Sequence, residues 1–355
     1  MLVLLAVLAR KANANPNPGS DVKASLGSSE ALLLTCNSER SITDYATMPD
    51  EIPSGSAPLC GSESTVAMVT LAQQQKTFAT SNYKRVYDAA QAPAFQHYLL
   101  GAVNNMLKLY AKRTNPTLQQ PALGKYVDEY MGQIQDDAFK DDAALRHDVA
   151  ALAQYLWTSA KTHRVVQFRQ LCSVLNAVIR DDIEEEVQAA AIFFRGINTR
   201  RVTRVRSGNV DPSFPRNGET WRGGGFRSQH RAFFEGMVGR KYRVPGFLAT
   251  SAKRCIAAKF AFDAFDEDSS HPCVIWHVTV DPRGKTHPEY RVKHMAFVSK
   301  TLVEGEEEYL FAPYSVFTLV CTQWSDSLRK PHEFTVRAAH DNKIEDEKLP
   351  LTPWY

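Results

Sequence analysis

The chain has 355 residues, of which 44% are hydrophobic and 23% charged, the make-up of a soluble globular protein with one large domain or two moderate ones. A net charge of +3 is too small to point to nucleic acid or to an anionic membrane. Six cysteines without a CxxC pair exclude a disulfide framework, and no His, Cys, Asp or Glu set has metal-site spacing.

The chain opens on an apolar run, Met1–Ala9, followed by Arg10-Lys11 and Ala12-Asn13-Ala14. It is far shorter than the ~18–20 residues of a membrane span. The small-x-small sequence has the look of a signal cleavage site, but a positive n-region is missing. A truncated secretory signal and an unstructured start both stay open, and the cytoplasm is slightly favoured over secretion. Residues 10–66 are rich in Ala, Asn, Pro, Gly and Ser, as in Pro16-Asn17-Pro18-Gly19-Ser20, so 1–66 reads as a disordered or signal-like extension. A Cys36–Cys60 bridge is compatible with an oxidising compartment and is not demanded.

Residues 67–192 read as a helical lobe. Apolar residues recur at three and four in Phe95, Tyr98, Leu99, Val103, Met106, Leu107 and Tyr110. A second set is Leu145, Val149, Leu152, Tyr155 and Leu156; a third is Phe168, Leu171, Leu175, Val178 and Ile179. Pro116 and Pro121 break the first helix from the second. The acidic run Asp181–Glu186 suits a helix N-terminal turn. Cys172, Cys255 and Cys321 sit among apolar neighbours and read as core. The arginines at 195, 200, 201, 204 and 206 read as a solvated face.

Residues 193–355 read as a strand-rich core, giving an α+β protein. Strand patterns cover Tyr242–Leu248, Val274–Val280, Glu306–Ala312, Tyr314–Val320 and Glu333–Ala338, with a helix over Ala252–Phe265. His294 reads as structural, His277 as a satisfied core histidine, and Trp221, Phe247 and Phe260 as core.

Three segments here bear on chemistry. In Glu304-Gly305-Glu306-Glu307-Glu308, a strand would put Glu306 and Glu308 on one face, where two carboxylates repel unless a cation meets them. The strand pattern ending Phe247-Leu248-Ala249-Thr250-Ser251 presents hydroxyls just before a helix, and Ser251 suits its N-cap. In Trp221-Arg222-Gly223-Gly224-Gly225, glycines allow a close backbone approach and a guanidinium can fork onto phosphate oxygens. Each segment alone also fits a plain loop, cap or acidic turn.

Taken in order, aromatic-Arg-Gly, aromatic-x-x-Thr-Ser and Glu-x-Glu resemble the motifs of the Arg–Ser–Glu class of mono-ADP-ribosyltransferases, and the likeness extends over roughly residues 140–354. The resemblance implies an ADP-ribosyltransferase fold, a split strand-rich core behind the helical lobe. It also implies NAD as a substrate, no metal, and an acceptor protein with an exposed arginine. Arg222 and Gly223 would hold NAD, with Phe247 lining the nicotinamide pocket. Arg195, in Phe194-Arg195-Gly196, is a rival for the arginine and lies further from Ser251. Glu308 would stabilise the ribosyl cation, and Glu306 would receive the acceptor arginine. The class usually has Ser-x-Ser where this chain has Ala249-Thr250-Ser251, so the hydroxyl that braces Glu308 falls to Thr250 or Ser251. A non-catalytic binding module of the same fold and an NAD glycohydrolase are the alternatives.

Overall fold

The computed structural model describes residues 77–118, 120–200, 214–298, 307–327 and 330–353. The N-terminal extension with Cys36 and Cys60, Arg201, Arg204, Arg206 and Glu306 all lie outside the described residues.

The first part is helical: α1 (Asn82–Ala89), α2 (Gln96–Thr114), α3 (Gln120–Asp141), α4 (Val149–Thr158), α5 (Leu171–Asp181) and α6 (Glu184–Ile197). The stripe Leu99, Val103, Met106, Tyr110 on α2 is buried, as the three-and-four spacing predicts. Phe95 and Tyr98, counted in the same stripe, are 60% and 55% exposed. Phe95 precedes the first turn, and Tyr98 is one residue off the buried face, about 100° round the helix. Phe168 is likewise exposed, because it precedes α5 in a left-handed backbone (φ 56°). Pro121 is the second residue of α3, where a missing N–H costs nothing.

The acidic run divides between two helices. Glu184, Glu185 and Glu186 fill the first turn of α6, where carboxylates suit the dipole. Asp181 instead ends α5. Asp182 is its left-handed cap and accepts from the backbone N–H groups of Asn82 and Tyr83 at 3.0 and 2.9 Å, tying in the start of α1.

The second part is one mixed sheet in the order β2-β7-β8-β4-β1-β3-β6-β5, antiparallel except between β4 and β8. Its strands are β1 (Glu219–Gly225), β2 (Lys241–Val244), β3 (Leu248–Ser251), β4 (Cys273–Thr279), β5 (Met295–Val298), β6 (Glu308–Phe311), β7 (Ser315–Gln323) and β8 (His332–Ala338). Helices α7 (Arg231–Met237) and α8 (Arg254–Glu267) interrupt them. A helical lobe before a strand-rich sheet is the α+β arrangement expected. The expected strand Tyr242–Leu248 is two strands, because Pro245-Gly246 breaks the ladder and sends β2 to the sheet edge while β3 enters the middle.

The two faces of β3 and β6 look into different cores. Leu248, Tyr309 and Phe311 join an apolar cluster with Trp276, Phe317 and Phe334 on one face of the sheet. Leu310, with Val298 and Phe247, joins the core of the helical lobe, and Ala249 packs against it. The face of β3 and β6 that carries Ala249 and Leu310 is therefore the one the helices cover.

Cys172 and Cys273 are buried, whereas Cys255 and Cys321 are half-buried at the rims of α8 and β7, so the local apolar pattern marks Cys172 correctly and misplaces the other two.

Candidate active site

Three segments distant in sequence become consecutive strands, β1, β3 and β6. Across them runs one row: Trp221 is the register partner of Ser251, and Ser251 that of Glu308. Side chains alternate along a strand, so Ala249, Ser251 and Glu308 share the face toward the helices, and Thr250 points to the other. Thr250 donates its hydroxyl to Tyr309 O at 3.2 Å within that opposite face. Of the two hydroxyls left open by the sequence, only Ser251 shares a face with Glu308. Its Oγ also accepts from Lys253 N at 3.2 Å, so it shapes the turn into α8 from two residues before that helix's N-cap, Lys253, and is not the cap itself.

Glu308 is 5% exposed. The indole Nε1–H of Trp157, in the last turn of α4, donates to its Oε1 at 3.0 Å. A buried carboxylate requires such donors. Cys172, on α5, lies in the same field: burial first, and the charge of Glu308 second, push its thiol up to about 12. The thiol therefore stays neutral and inert.

Arg222 reaches the same strands from behind. Its guanidinium is largely buried, and Nη1 donates to Ala249 O at 3.0 Å, just past the single register pair that joins β1 to β3. With Phe234, Tyr242, Leu248 and Trp276 it lines a cavity of about 30 Å³. Arg222 and Glu308 thus approach β3 from opposite faces. Arg195, the rival arginine, lies over the ring of Tyr87 at 3.9 Å and donates to the Tyr87 carbonyl, fastening α1 to α6.

Gly223 has a packing reason to be glycine. A Cβ there would stand 1.7 Å from Ala257 O and 2.9 Å from Ala261 N, so the backbone of α8 occupies the space. The close approach that the sequence suggested is made to a helix. Phe247 is fully buried, its ring centroid 5.1 Å from that of Trp157 and 6.4 Å from that of Phe194. Asn176 holds it in place, accepting from Phe247 N at 2.8 Å and donating to Phe247 O at 3.4 Å.

His294 bridges Ser315 Oγ (2.8 Å) and Ala339 O (2.7 Å), a structural role as expected. His277 is half-buried and stacks on Trp221 with centroids 5.4 Å apart. Trp157 is the residue at this site that sequence reasoning missed. It lies beside the apolar repeat of α4, and its partner is 151 residues away, so no local signal marks it. Among the described residues no group of three or more His, Cys, Asp or Glu is placed to hold a metal ion. No described helix is long and apolar enough to cross a membrane.

No family model matches the chain, and no curated protein is similar to it in sequence. Among solved structures it is similar to the ADP-ribosyltransferase HopU1 of Pseudomonas syringae pv. tomato, with 16% identity over 67% of this chain and 97% of that one and a TM-score of 0.39. It is also similar to the Vis toxin, an ADP-ribosyltransferase of Vibrio splendidus, with 14% identity, 60% and 85% coverage and a TM-score of 0.35. A third is the C3 exoenzyme of Clostridium limosum, with 13% identity, 59% and 94% coverage and a TM-score of 0.34. At TM-scores below 0.5, none of these superpositions assigns a function to the chain.

Proposed function

We propose that this chain is an enzyme that transfers ADP-ribose from NAD to an arginine side chain of an acceptor protein and releases nicotinamide. The observation that carries the reading is the adjacency of β1, β3 and β6, which gathers Arg222, the Ala249-Thr250-Ser251 segment and Glu308 from across the sequence. In this reading residues 193–355 carry the chemistry, and the helical lobe of 67–192 covers it.

The bond that breaks joins ribose C1′ to the nicotinamide nitrogen, and its electron pair leaves with nicotinamide. The ribose becomes oxocarbenium-like, and a fixed carboxylate beside it lowers the energy of that positive charge. Glu308 serves as that carboxylate and as the acceptor for a ribose hydroxyl. Ser251 shares its face and lies directly across the ladder. Arg222 locks the β3 backbone through Ala249 O, with Gly223 keeping β1 close to α8, and in this reading its charge meets the cofactor's phosphates from the face of β3 opposite Glu308. Phe247 backs the nicotinamide end. The acceptor guanidinium is charged and a poor nucleophile while its pKa stays above ~12. Glu306, two residues before Glu308, would orient it and take the proton released as its nitrogen bonds to C1′.

The test is turnover of labelled NAD with agmatine as a small acceptor, beside a Glu306→Gln variant. ADP-ribosyl-agmatine from the wild type, and free ADP-ribose alone from Glu306→Gln, support transfer to arginine. Hydrolysis alone in both proteins would instead make the chain an NAD glycohydrolase.

A further inference from the structure

Ala249 stands where the resembled motif carries a serine, two residues before Ser251 on the face it shares with Glu308. A hydroxyl there would be a diagonal cross-ladder neighbour of the carboxylate, within reach of a donor. The structure supplies a donor from elsewhere. Asp148 accepts from Ala151 N at 2.9 Å and fixes the start of α4. The residues from Ala151 to Trp157 are then all buried. Gln154 and Trp157, three apart and so on one helical face, land on neighbouring strands. Gln154 Nε2 donates to Phe297 O on β5 at 2.8 Å, and Trp157 Nε1 donates to Glu308 Oε1 on β6 at 3.0 Å. Val298, beside Phe297, is the register partner of Glu308, so the two anchors straddle one rung of the sheet.

We propose that Trp157 is the positioning residue that orients the Glu308 carboxylate, doing from the helical lobe what a hydroxyl at position 249 would do from the sheet; this rests on the reading of Glu308 as the reacting carboxylate. An indole N–H donates and never accepts, so it holds the ionised carboxylate in one orientation, where a hydroxyl can also turn and accept. The helical lobe is then part of the reacting centre, because the donor rides on α4.

The test has two arms. In the first, nicotinamide release is measured for wild type, Trp157→Phe, Ala249→Ser and the double variant. The phenyl ring keeps the contact with Phe247 and removes the donor. Trp157→Phe lowers kcat by about 10- to 100-fold with little change in KM for NAD, the size of a lost bond to a charged group. Ala249→Ser in the Trp157→Phe background restores about tenfold of that. An unchanged or faster Trp157→Phe enzyme, the latter meaning that the indole obstructs the site, overturns the proposal. So does a loss that Ala249→Ser does not relieve, which marks a packing role.

The second arm needs no turnover. The indole N–H resonance of Trp157 is assigned by its loss in Trp157→Phe and followed with pH in wild type and Glu308→Gln. It shifts as Glu308 takes up its proton, and stays fixed in Glu308→Gln. Among the described residues packed here, α4, β3 and β5 bring no charge, Glu307 alternates to the opposite face, Arg222 stays charged, and the Cys172 thiol stays neutral throughout the acid range; Glu306, outside the described residues, is replaced by Gln in both proteins so that it does not titrate. If the wild type cleaves no NAD, the enzymatic reading fails by itself. The contact then stands if this resonance follows Glu308 and falls if it does not.

Discussion

The guanidinium of Arg222 donates to the carbonyl of Ala249 at 3.0 Å, where β1 and β3 are held together by a single register pair. One side chain thus braces the strand that pairs with the Glu308 strand and brings a planar charge to it. Lysine keeps the charge but loses the planar fork. Arg222→Lys should weaken NAD binding about tenfold or more, by the worth of one charge-assisted bond. Titration calorimetry with NAD checks this; unchanged affinity would remove Arg222 from the binding site.

Gly223 and the α8 backbone compete for the same space, with a Cβ placed 1.7 Å from Ala257 O. No rotamer relieves a clash with backbone, so Gly223→Ala must push α8 off β1. The expected cost is about 1–3 kcal/mol. Each kcal/mol shifts the midpoint of a chain this size by roughly 2–4 °C. A melting curve unchanged in Gly223→Ala would mean that α8 is not seated on β1 as described.

Asn176 satisfies both backbone groups of the buried Phe247. Asn176→Ala strands an N–H and a C=O under the helical lobe, for a loss of about 1–3 kcal/mol in denaturant unfolding. A loss under about 0.5 kcal/mol, typical of surface substitutions, would contradict the clamp.

The acid side of the stability profile has a specific source. Burial holds the His332 imidazole below its ordinary value, and its Nδ1 accepts from Ser325 N at 3.0 Å. Burial also lowers His163 and His230. A lowered histidine means that the unfolded chain takes the proton first, so stability present above the unfolded value of 6.5 is lost as pH falls through the folded value. Midpoints should drop between about pH 7 and pH 5, and less steeply in His332→Asn, whose amide oxygen accepts without titrating. Equal slopes in the two proteins would rule out His332 as a source.

Much of the fold was legible in the sequence, and the misses have physical causes. Helices with buried three-and-four stripes, such as α2, announce themselves, whereas their ends do not: Phe95 and Phe168 look like core and lie outside the first turns. β1 reads as a loop because its glycines carry no strand pattern, yet they are what lets α8 lie against it. The segment from Phe247 to Ser251 and the residue Glu308 were legible as pieces of a site, while the register that sets Ser251, not Thr250, opposite Glu308 was not. Trp157 was invisible, since nothing in a local pattern tells which carboxylate a buried indole will meet across the fold.

The most direct measurement is nicotinamide release from NAD by the purified full chain and by Glu308→Gln, with thermal unfolding of both in parallel. Release by the wild type and a loss of turnover of at least about a hundredfold in a variant that melts normally is the predicted result, the scale expected when transition-state charge loses its partner. A folded wild type that releases no nicotinamide, or a Glu308→Gln variant that releases it at the wild-type rate, would contradict the account.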